Sequence, residues 1–126
     1  MFRTPQVILF TEDVPRAAEF YAGLGFTETF RVPTEGVPIH IDVMLDGYKI
    51  GIASVASTRD DHGLDPVSRG QRAAVILWTD DTAGAYAGLT AKGAPALAAP
   101  HRWLDHLLIA WTADPDGNPI QIVQRL

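Results

Sequence analysis

A seven-residue pattern occurs twice in this chain and limits the available folds more than any other feature. Residues 7–13 read VILFTED and residues 75–81 read VILWTDD, so the second copy begins 68 residues after the first. Gly25 and Gly93 keep the same offset. Two copies are too few for a solenoid, which needs at least three repeats to bury a continuous core. The sequence therefore predicts one supersecondary module, duplicated and folded against itself.

Each copy predicts a strand, a helix and three further strands. The apolar run before Asp13 is typical of a strand, Asp13 is a suitable N-cap, and Gly25 is a suitable residue to end the helix. Consecutive helices are absent from the pattern, which argues against a helical bundle. The predicted strands are 6–11, 26–32, 39–45, 48–53, 73–79, 95–103, 106–113 and 120–124, with helices at 14–24 and 82–92.

The strongest hairpin signal is Asp46-Gly47, which lies between two apolar runs and favours a type I′ turn. A two-residue turn at this position pairs Asp42 with Gly51. Since successive strand residues point to opposite faces, the isoleucines fall on one face of the hairpin. The other face carries His40, Asp42, Met44, Lys49 and Gly51.

Length and composition predict a single domain made of modules 1–56 and 70–126, joined by a polar linker at 57–69. The net charge of −5 argues against nucleic acid and anionic membranes as partners. The chain has no cysteine, which excludes disulfides and thiolate zinc sites and suits a reducing cytoplasm. We see no signal peptide, and no apolar run approaches the roughly 18 residues of a membrane span.

The paired modules, the segment AAEFYAGLGF at 17–26 and the segment DPDGNPIQIV at 114–123 resemble the vicinal oxygen chelate superfamily. That superfamily includes glyoxalase I, the bleomycin resistance proteins, the fosfomycin-inactivating enzymes and the extradiol dioxygenases. The resemblance covers nearly the whole chain. It implies an α+β fold, in which two βαβββ modules form a curved eight-stranded sheet with helices outside, and it implies a homodimer. It says less about function, because one fold hosts several chemistries.

Enzymes of that superfamily hold a divalent metal at four equivalent positions, which correspond here to Gln6, Gly51, Ala74 and Gln121. Gly51 and Ala74 have no ligand atom to offer. Two neutral amides do not replace the carboxylates and imidazoles that such a metal prefers. The resemblance therefore leads us to expect no metal and no other cofactor.

Several polar residues leave other chemistry open. Strand alternation places His40 and Asp42 on the same face as Gln6. His40 is then a general base oriented by Asp42, or both residues are substitute metal ligands, or they line a binding cavity as a polar pair. A metal site formed by His101, Asp105 and His106 is a weaker possibility, because their spacing fits no common ligand motif.

Tryptophan is abundant for a chain of 126 residues, with three in the sequence. Trp78 matches Phe10 in the repeat, Trp103 adjoins the weak strand 95–103, and alternation does not settle which way Trp111 faces. Flat aromatic surfaces suit stacking on a planar ligand. The predicted ligand-binding residues are Gln6, Ile8, Phe10, His40, Asp42, Met44, Trp78, Trp103 and Gln121.

These observations favour a metal-free small-molecule binding protein, similar to the bleomycin resistance proteins, that sequesters an antibiotic or another planar compound. No catalytic residue is assigned. The alternative is an enzyme of the same superfamily, a lyase, dioxygenase or isomerase, with non-standard metal ligands or with His40 as general base. A structural or regulatory domain is the third possibility.

Overall fold

The structure is a computed structural model that describes residues 1, 3–70 and 73–126. No helix among these residues is long and apolar enough to cross a membrane. The described elements are β1 (Val7–Thr11), α1 (Val14–Gly23), β2 (Thr27–Val32), β3 (His40–Leu45), β4 (Tyr48–Ser54), α2 (Val55–His62), β5 (Val75–Trp78), α3 (Thr82–Ala91), β6 (Ala98–Trp103), β7 (Leu107–Ala113) and β8 (Pro119–Arg125).

The chain divides into two compact units, Met1–Ser68 and Arg69–Leu126. The first unit contains a four-stranded sheet in the order β1-β4-β3-β2, and the second contains one in the order β5-β8-β7-β6. In each sheet the first strand of the module pairs in parallel with the last strand, and the other pairings are antiparallel. The predicted α+β fold of two βαβββ modules is confirmed, with its eight strands divided between two sheets.

Helix α1 begins and ends where its sequence predicts. The Asp13 side chain accepts a hydrogen bond from the backbone N–H of Arg16, and Gly25 follows the helix with a φ of +105°. The helix packs on β3 and β4. Its buried residue Tyr21 makes an edge-to-face contact with Phe26, at 5.5 Å between ring centroids. The apolar core of the first unit therefore lies on one face of its sheet.

The second unit repeats this arrangement with smaller side chains. Asp81 caps α3 by accepting from the N–H of Gly84, and Gly93 follows the helix with a φ of +99°. Helix α3 packs on β6, β7 and β8. The hydroxyl of buried Thr82 donates to the carbonyl of Leu108, and this bond ties the start of the helix to β7. The opposite face of this sheet is consequently left without a helix of the same unit.

The turn between β3 and β4 has the predicted geometry. Asp46 and Gly47 both have positive φ, at 51° and 83°, as a type I′ turn requires. Asp42 pairs with Gly51 and Ile41 with Ile52, which confirms the predicted register. The buried face of the hairpin carries the isoleucines and Val43, as alternation requires.

The segment predicted as a linker at 57–69 contains structure that the sequence did not reveal. Residues 57–62 belong to α2, whose N-cap Ser54 accepts from the N–H of Ser57 and whose C-cap Gly63 has a φ of +69°. Only Val55 and Thr58 of this helix are buried. A helix that buries so little has no apolar periodicity to reveal it, so only its caps were available as signals.

Candidate ligand-binding faces

The sheet of the first unit has an open face on the side away from α1, which we call the His40 face. Residues on β1, β3 and β4 reach it by alternation, and the registers of the paired strands bring them side by side. Its members are Gln6, Ile8, Phe10, Phe30, Val32, His40, Asp42, Met44, Lys49 and Gly51.

A hydrogen-bonded cluster lies at the centre of the His40 face. Oδ1 of Asp42 accepts from Nε2 of Gln6 at 2.8 Å and lies 2.7 Å from Nε2 of His40. The side chains of His40 and Asp42 are 25% and 14% exposed. The Asp42 carboxylate is therefore largely shielded from water, and Gln6 and His40 are its hydrogen-bond partners.

The chemistry of this cluster fixes the orientation of both neighbours of the carboxylate. An ionised carboxylate only accepts hydrogen bonds, so Gln6 must direct its amide nitrogen toward Asp42. For the same reason Nε2 of His40 carries a proton, which leaves a lone pair on Nδ1 of the neutral ring. Asp42 therefore fixes the tautomer of His40, as an orienting carboxylate does in many active sites.

Gly51 provides the room in which this cluster forms. A Cβ atom at position 51 would lie 3.0 Å from Nε2 of Gln6, 3.1 Å from Cγ1 of Ile8 and 3.2 Å from Cε1 of His40. These distances are shorter than ordinary van der Waals contacts, so any side chain here would displace its neighbours. The absence of a side chain at Gly51 is thus part of the construction of the site.

Phe30 joins the His40 face through a bulge in β2. Glu28 pairs with Val43 while Phe30 pairs with Asp42, so Thr29 is an extra residue between them. The Phe30 ring approaches the His40 ring edge-on, at 6.0 Å between centroids, and is 50% exposed. The bulge therefore adds an accessible aromatic side chain to the polar cluster.

The sheet of the second unit also has a face that α3 does not cover, which we call the Trp78 face. Leu107, Ile109 and Val123 on this face are buried, and its large exposed apolar side chains are Ile76, Trp78 and Trp103. Trp111 lies opposite Gln121, Trp103 lies opposite Leu107, and Trp78 lies opposite Val123. The members of the face are Ile76, Trp78, His101, Trp103, Leu107, Ile109, Trp111, Gln121, Val123 and Arg125.

The aromatic side chains of the Trp78 face differ in burial. Trp111 packs against the buried cluster of Leu107, Ile109 and Val123, whereas Trp78 and Trp103 are 57% and 54% exposed. The guanidinium carbon of Arg125 lies 4.7 Å from the centroid of the Trp78 ring. This face therefore presents flat aromatic surface together with one stacked cation.

The predicted site residues fall into two groups. Gln6, Ile8, Phe10, His40, Asp42 and Met44 all lie on the His40 face, whereas Trp78, Trp103 and Gln121 lie on the Trp78 face. Their part in ligand binding remains a prediction. Phe30, Trp111 and Arg125 lie on these faces and were not among the predicted residues. Arg125 was detectable in the sequence, because it is four strand positions from Gln121 and therefore shares its face.

The metal positions implied by the resemblance do not fit a divalent cation. Gly51 has no donor atom, and the space beside it is occupied by Gln6 and His40. Gln6 offers only a neutral carbonyl oxygen, because its amide nitrogen donates to Asp42, while Ala74 is an exposed residue that precedes β5 and has no ligand atom in its side chain. His101 and His106 each direct Nδ1 to a backbone carbonyl. Within the described residues no three His, Cys, Asp or Glu side chains are grouped to hold a metal.

Two βαβββ modules, each with a helix packed on one face of its four-stranded sheet, define the class of protein. The Glyoxalase/Bleomycin resistance protein/Dioxygenase superfamily matches residues 3–122, and the chain belongs to this superfamily. No curated protein sequence matches the chain significantly.

Solved structures share the fold at low sequence identity. A glyoxalase-related enzyme from Fulvimarina pelagi is 23% identical, with a TM-score of 0.80 over 99% of this chain and 89% of that one. TioX from Micromonospora sp. ML1 is 21% identical, with a TM-score of 0.77 over 99% and 100%. A glyoxalase/bleomycin resistance protein/dioxygenase from Nocardioides is 20% identical, with a TM-score of 0.79 over 100% and 85%. At these identities the likeness concerns the fold alone.

Proposed function

We propose that this protein binds a small planar compound without a metal, in the manner expected of the bleomycin-resistance-like members of its superfamily. The observation that carries the proposal is the Trp78 face, where two tryptophans are more than half exposed on a sheet surface. Large exposed aromatic side chains are costly to leave in water and commonly mark a binding surface. Sequestration of an antibiotic or a similar compound requires only such a surface.

The residues at the metal positions support the metal-free part of the proposal. Gly51 and Ala74 supply no ligand atom from their side chains, and Gln6 and Gln121 offer only neutral amide oxygens. Elemental analysis of protein purified without chelators tests this part directly. Near-stoichiometric zinc, iron, manganese or nickel in the purified protein would overturn it.

Tryptophan fluorescence tests the binding itself. A panel of planar antibiotics and polycyclic aromatic compounds should quench the emission, and Trp78→Phe and Trp111→Phe should identify the responding ring.

Trp78→Leu should weaken binding about tenfold, the size of one lost aromatic stacking contact with its buried area. Tyr48→Leu is the matched control, because Tyr48 is 80% exposed but has the strand parity of Ile50, away from the open face. Equal weakening by both variants, or no quenching by any compound, would contradict the proposal.

A second candidate function is catalysis with His40 as general base. The observation that favours it is the 2.7 Å contact between His40 and Asp42, which leaves Nδ1 of the neutral imidazole able to accept a proton. This arrangement suits an isomerase or a hydrolase, since both need a base beside the substrate. A His40→Ala variant that keeps ligand affinity but loses turnover would establish this function, whereas unchanged turnover would exclude His40 as the base.

A further inference from the structure

The polar cluster of the His40 face is rich in hydrogen-bond acceptors. Oδ1 of Asp42 is used by Gln6 and His40, and within the described residues Oδ2 has no hydrogen-bond partner. Because Gln6 directs its nitrogen to Asp42, its carbonyl oxygen Oε1 is also available. Nδ1 of His40 is a third acceptor in the neutral ring. A ligand group that satisfies all three must donate hydrogen bonds.

The cluster carries a negative charge, which suits a ligand group that donates hydrogen bonds. Asp42 is negative and 14% exposed, and its two partners are a neutral amide and an imidazole. Lys49 lies on the same face opposite Met44, and in the described part of the chain it makes no ion pair with Asp42. When its imidazole neighbour is neutral, such a half-buried carboxylate is stabilised by a ligand cation more strongly than an exposed carboxylate is.

Aromatic surface lies beside the carboxylate. Phe30 is half exposed and contacts the His40 ring edge-on, and Phe10 lies on the same face. A planar cation can place its charge near an aromatic ring while its N–H groups reach the carboxylate. A metal ion would gain nothing from the aromatic surface, because it binds oxygen or nitrogen ligands.

We propose that the His40 face binds a small compound through a cationic, hydrogen-bond-donating group, such as an amidinium, a guanidinium or a protonated amine. Asp42 and Gln6 accept its hydrogen bonds, and Phe30 packs against its apolar part. This inference goes beyond the proposed function, because it assigns ligand binding, and the chemical class of the ligand, to the face of the other unit.

Three probes that share one phenyl ring test the inference. Benzamidine is a planar cation with N–H donors, benzamide is its neutral counterpart, and benzoate is an anion with acceptors only. Because this face carries no tryptophan, binding is followed by the NMR signals of the His40 imidazole. A His40→Gln variant assigns these signals. We expect benzamidine to bind at least about tenfold more tightly than benzamide, as a charge-assisted hydrogen bond implies, and benzoate to bind most weakly.

Two variants connect this preference to the cluster. Asp42→Asn should reduce benzamidine affinity about tenfold or more and abolish its advantage over benzamide. Asp46→Asn is the matched control, because it removes the same charge from the turn of the same hairpin, where asparagine also accepts positive φ. Gln6→Ala should reduce benzamidine affinity by a smaller factor. Because Gln6 lies in the exposed segment before β1, this variant still tests the cluster if Asp42→Asn folds poorly.

Each other outcome overturns the inference. Benzoate binding as tightly as benzamidine, equal losses in Asp42→Asn and Asp46→Asn, or an equal imidazole response to Ca²⁺ would each contradict it. If neutral planar compounds still quench tryptophan fluorescence in any of these cases, the inference fails and the proposed function stands. If no compound changes either the imidazole signals or the fluorescence, both fail.

Discussion

Gly51 sets how closely the side chains of the polar cluster approach one another. It lies opposite Asp42 in the hairpin, and an added Cβ would crowd Gln6, Ile8 and His40. The superfamily resemblance places a metal ligand at this position, whereas in this chain the absence of a side chain leaves the room that the cluster occupies. Returning a ligand to position 51 therefore should not simply restore a metal site.

Gly51→Glu tests this reasoning. We expect the variant to lose about 1–3 kcal/mol of unfolding free energy, because the new side chain overpacks the face and brings a second carboxylate near Asp42. Urea unfolding followed by circular dichroism measures the change. Gly23→Glu is the control, since nothing lies within 4 Å of a Cβ at that position. An increase in stability, or tight binding of a divalent metal by the Gly51→Glu protein, would show that the site can accommodate a ligand there.

The ion pair of Glu28 and Arg31 gives the clearest pH-dependent signal. Arg31 donates two hydrogen bonds to the Glu28 carboxylate, at 2.8 and 3.0 Å, and lowers the pKa of that carboxyl below its usual 4.5. A lowered pKa in the folded state means that the pair stabilises the fold above about pH 4.5 and that this contribution is lost as pH falls through the folded pKa. Both side chains are exposed, so the effect on stability is small and is screened by salt.

Carboxyl titration by NMR checks this assignment. The Glu28 signal should titrate below the ordinary range in the native protein and return toward it in Arg31→Met. High salt should shift it in the same direction as the substitution. An unchanged midpoint in Arg31→Met would mean that Arg31 is not the cause of the shift.

At the scale of elements, a bulge in the same place of each module determines which side chains reach the open faces. The shift in β2 lies between Glu28 and Phe30, and the shift in β6 lies between Ala98 and His101. An extra residue rotates the rest of the strand by one position, which brings Phe30 and Trp103 to the open faces. The bulge in β2 also brings Glu28 and Arg31 to one face, although they are three positions apart in the strand.

Helix α3 contains two glycines whose substitution should have opposite effects. Nothing lies within 4 Å of a Cβ at Gly88, so Gly88→Ala should stabilise the protein by about 0.5–1 kcal/mol through helix propensity. A Cβ at Gly84 would collide with the Asp81 carboxylate that caps the helix. Gly84→Ala should therefore cost about 1 kcal/mol by disturbing this cap. Thermal unfolding of the two variants measures both changes, and a shift in the same direction would contradict the placement of Asp81.

Local chemistry explains which parts of the fold and site could be predicted. The Asp46-Gly47 turn fixes its hairpin register from two residues, so the positions of His40 and Asp42 on one face followed from the sequence. The facing of Trp111 depends on the longer turn 114–118, where Asp114 accepts hydrogen bonds from the N–H groups of Asp116 and Asn118. Such a turn does not set the register by its length alone.

The two remaining misses have different physical origins. Phe30 reaches the open face through a bulge, and a bulge is set by pairing with a neighbouring strand rather than by local residue pattern. Helix α2 buries too little apolar surface to show helical periodicity. The predicted turn at Asp46-Gly47 and the predicted caps of α1 and α3 therefore held. The bulge depends on pairing between distant segments, and α2 has caps without apolar periodicity.

At the scale of the whole molecule, the duplicated frame supports two different surfaces. Both units have the same strand order, and both helices are capped by an aspartate and followed by a glycine with positive φ. The open face of the first unit holds a carboxylate with two polar partners, whereas that of the second holds tryptophans and a stacked arginine. The two units thus share strand order and helix caps, while the side chains on the sheet faces away from α1 and α3 differ in chemistry.

Exposed apolar side chains at the sheet edges lead us to expect a homodimer in solution. Val7 on edge strand β1 is 57% exposed, and edge strands with apolar side chains are commonly covered by a partner. Sedimentation velocity should give about twice the chain mass of 13.7 kDa. Val7→Lys should weaken association about tenfold by burying a charge, whereas Leu64→Lys, at an equally exposed position outside the sheets, should not. A monomer at every concentration, or equal weakening by both variants, would mean that these edges are covered in another way.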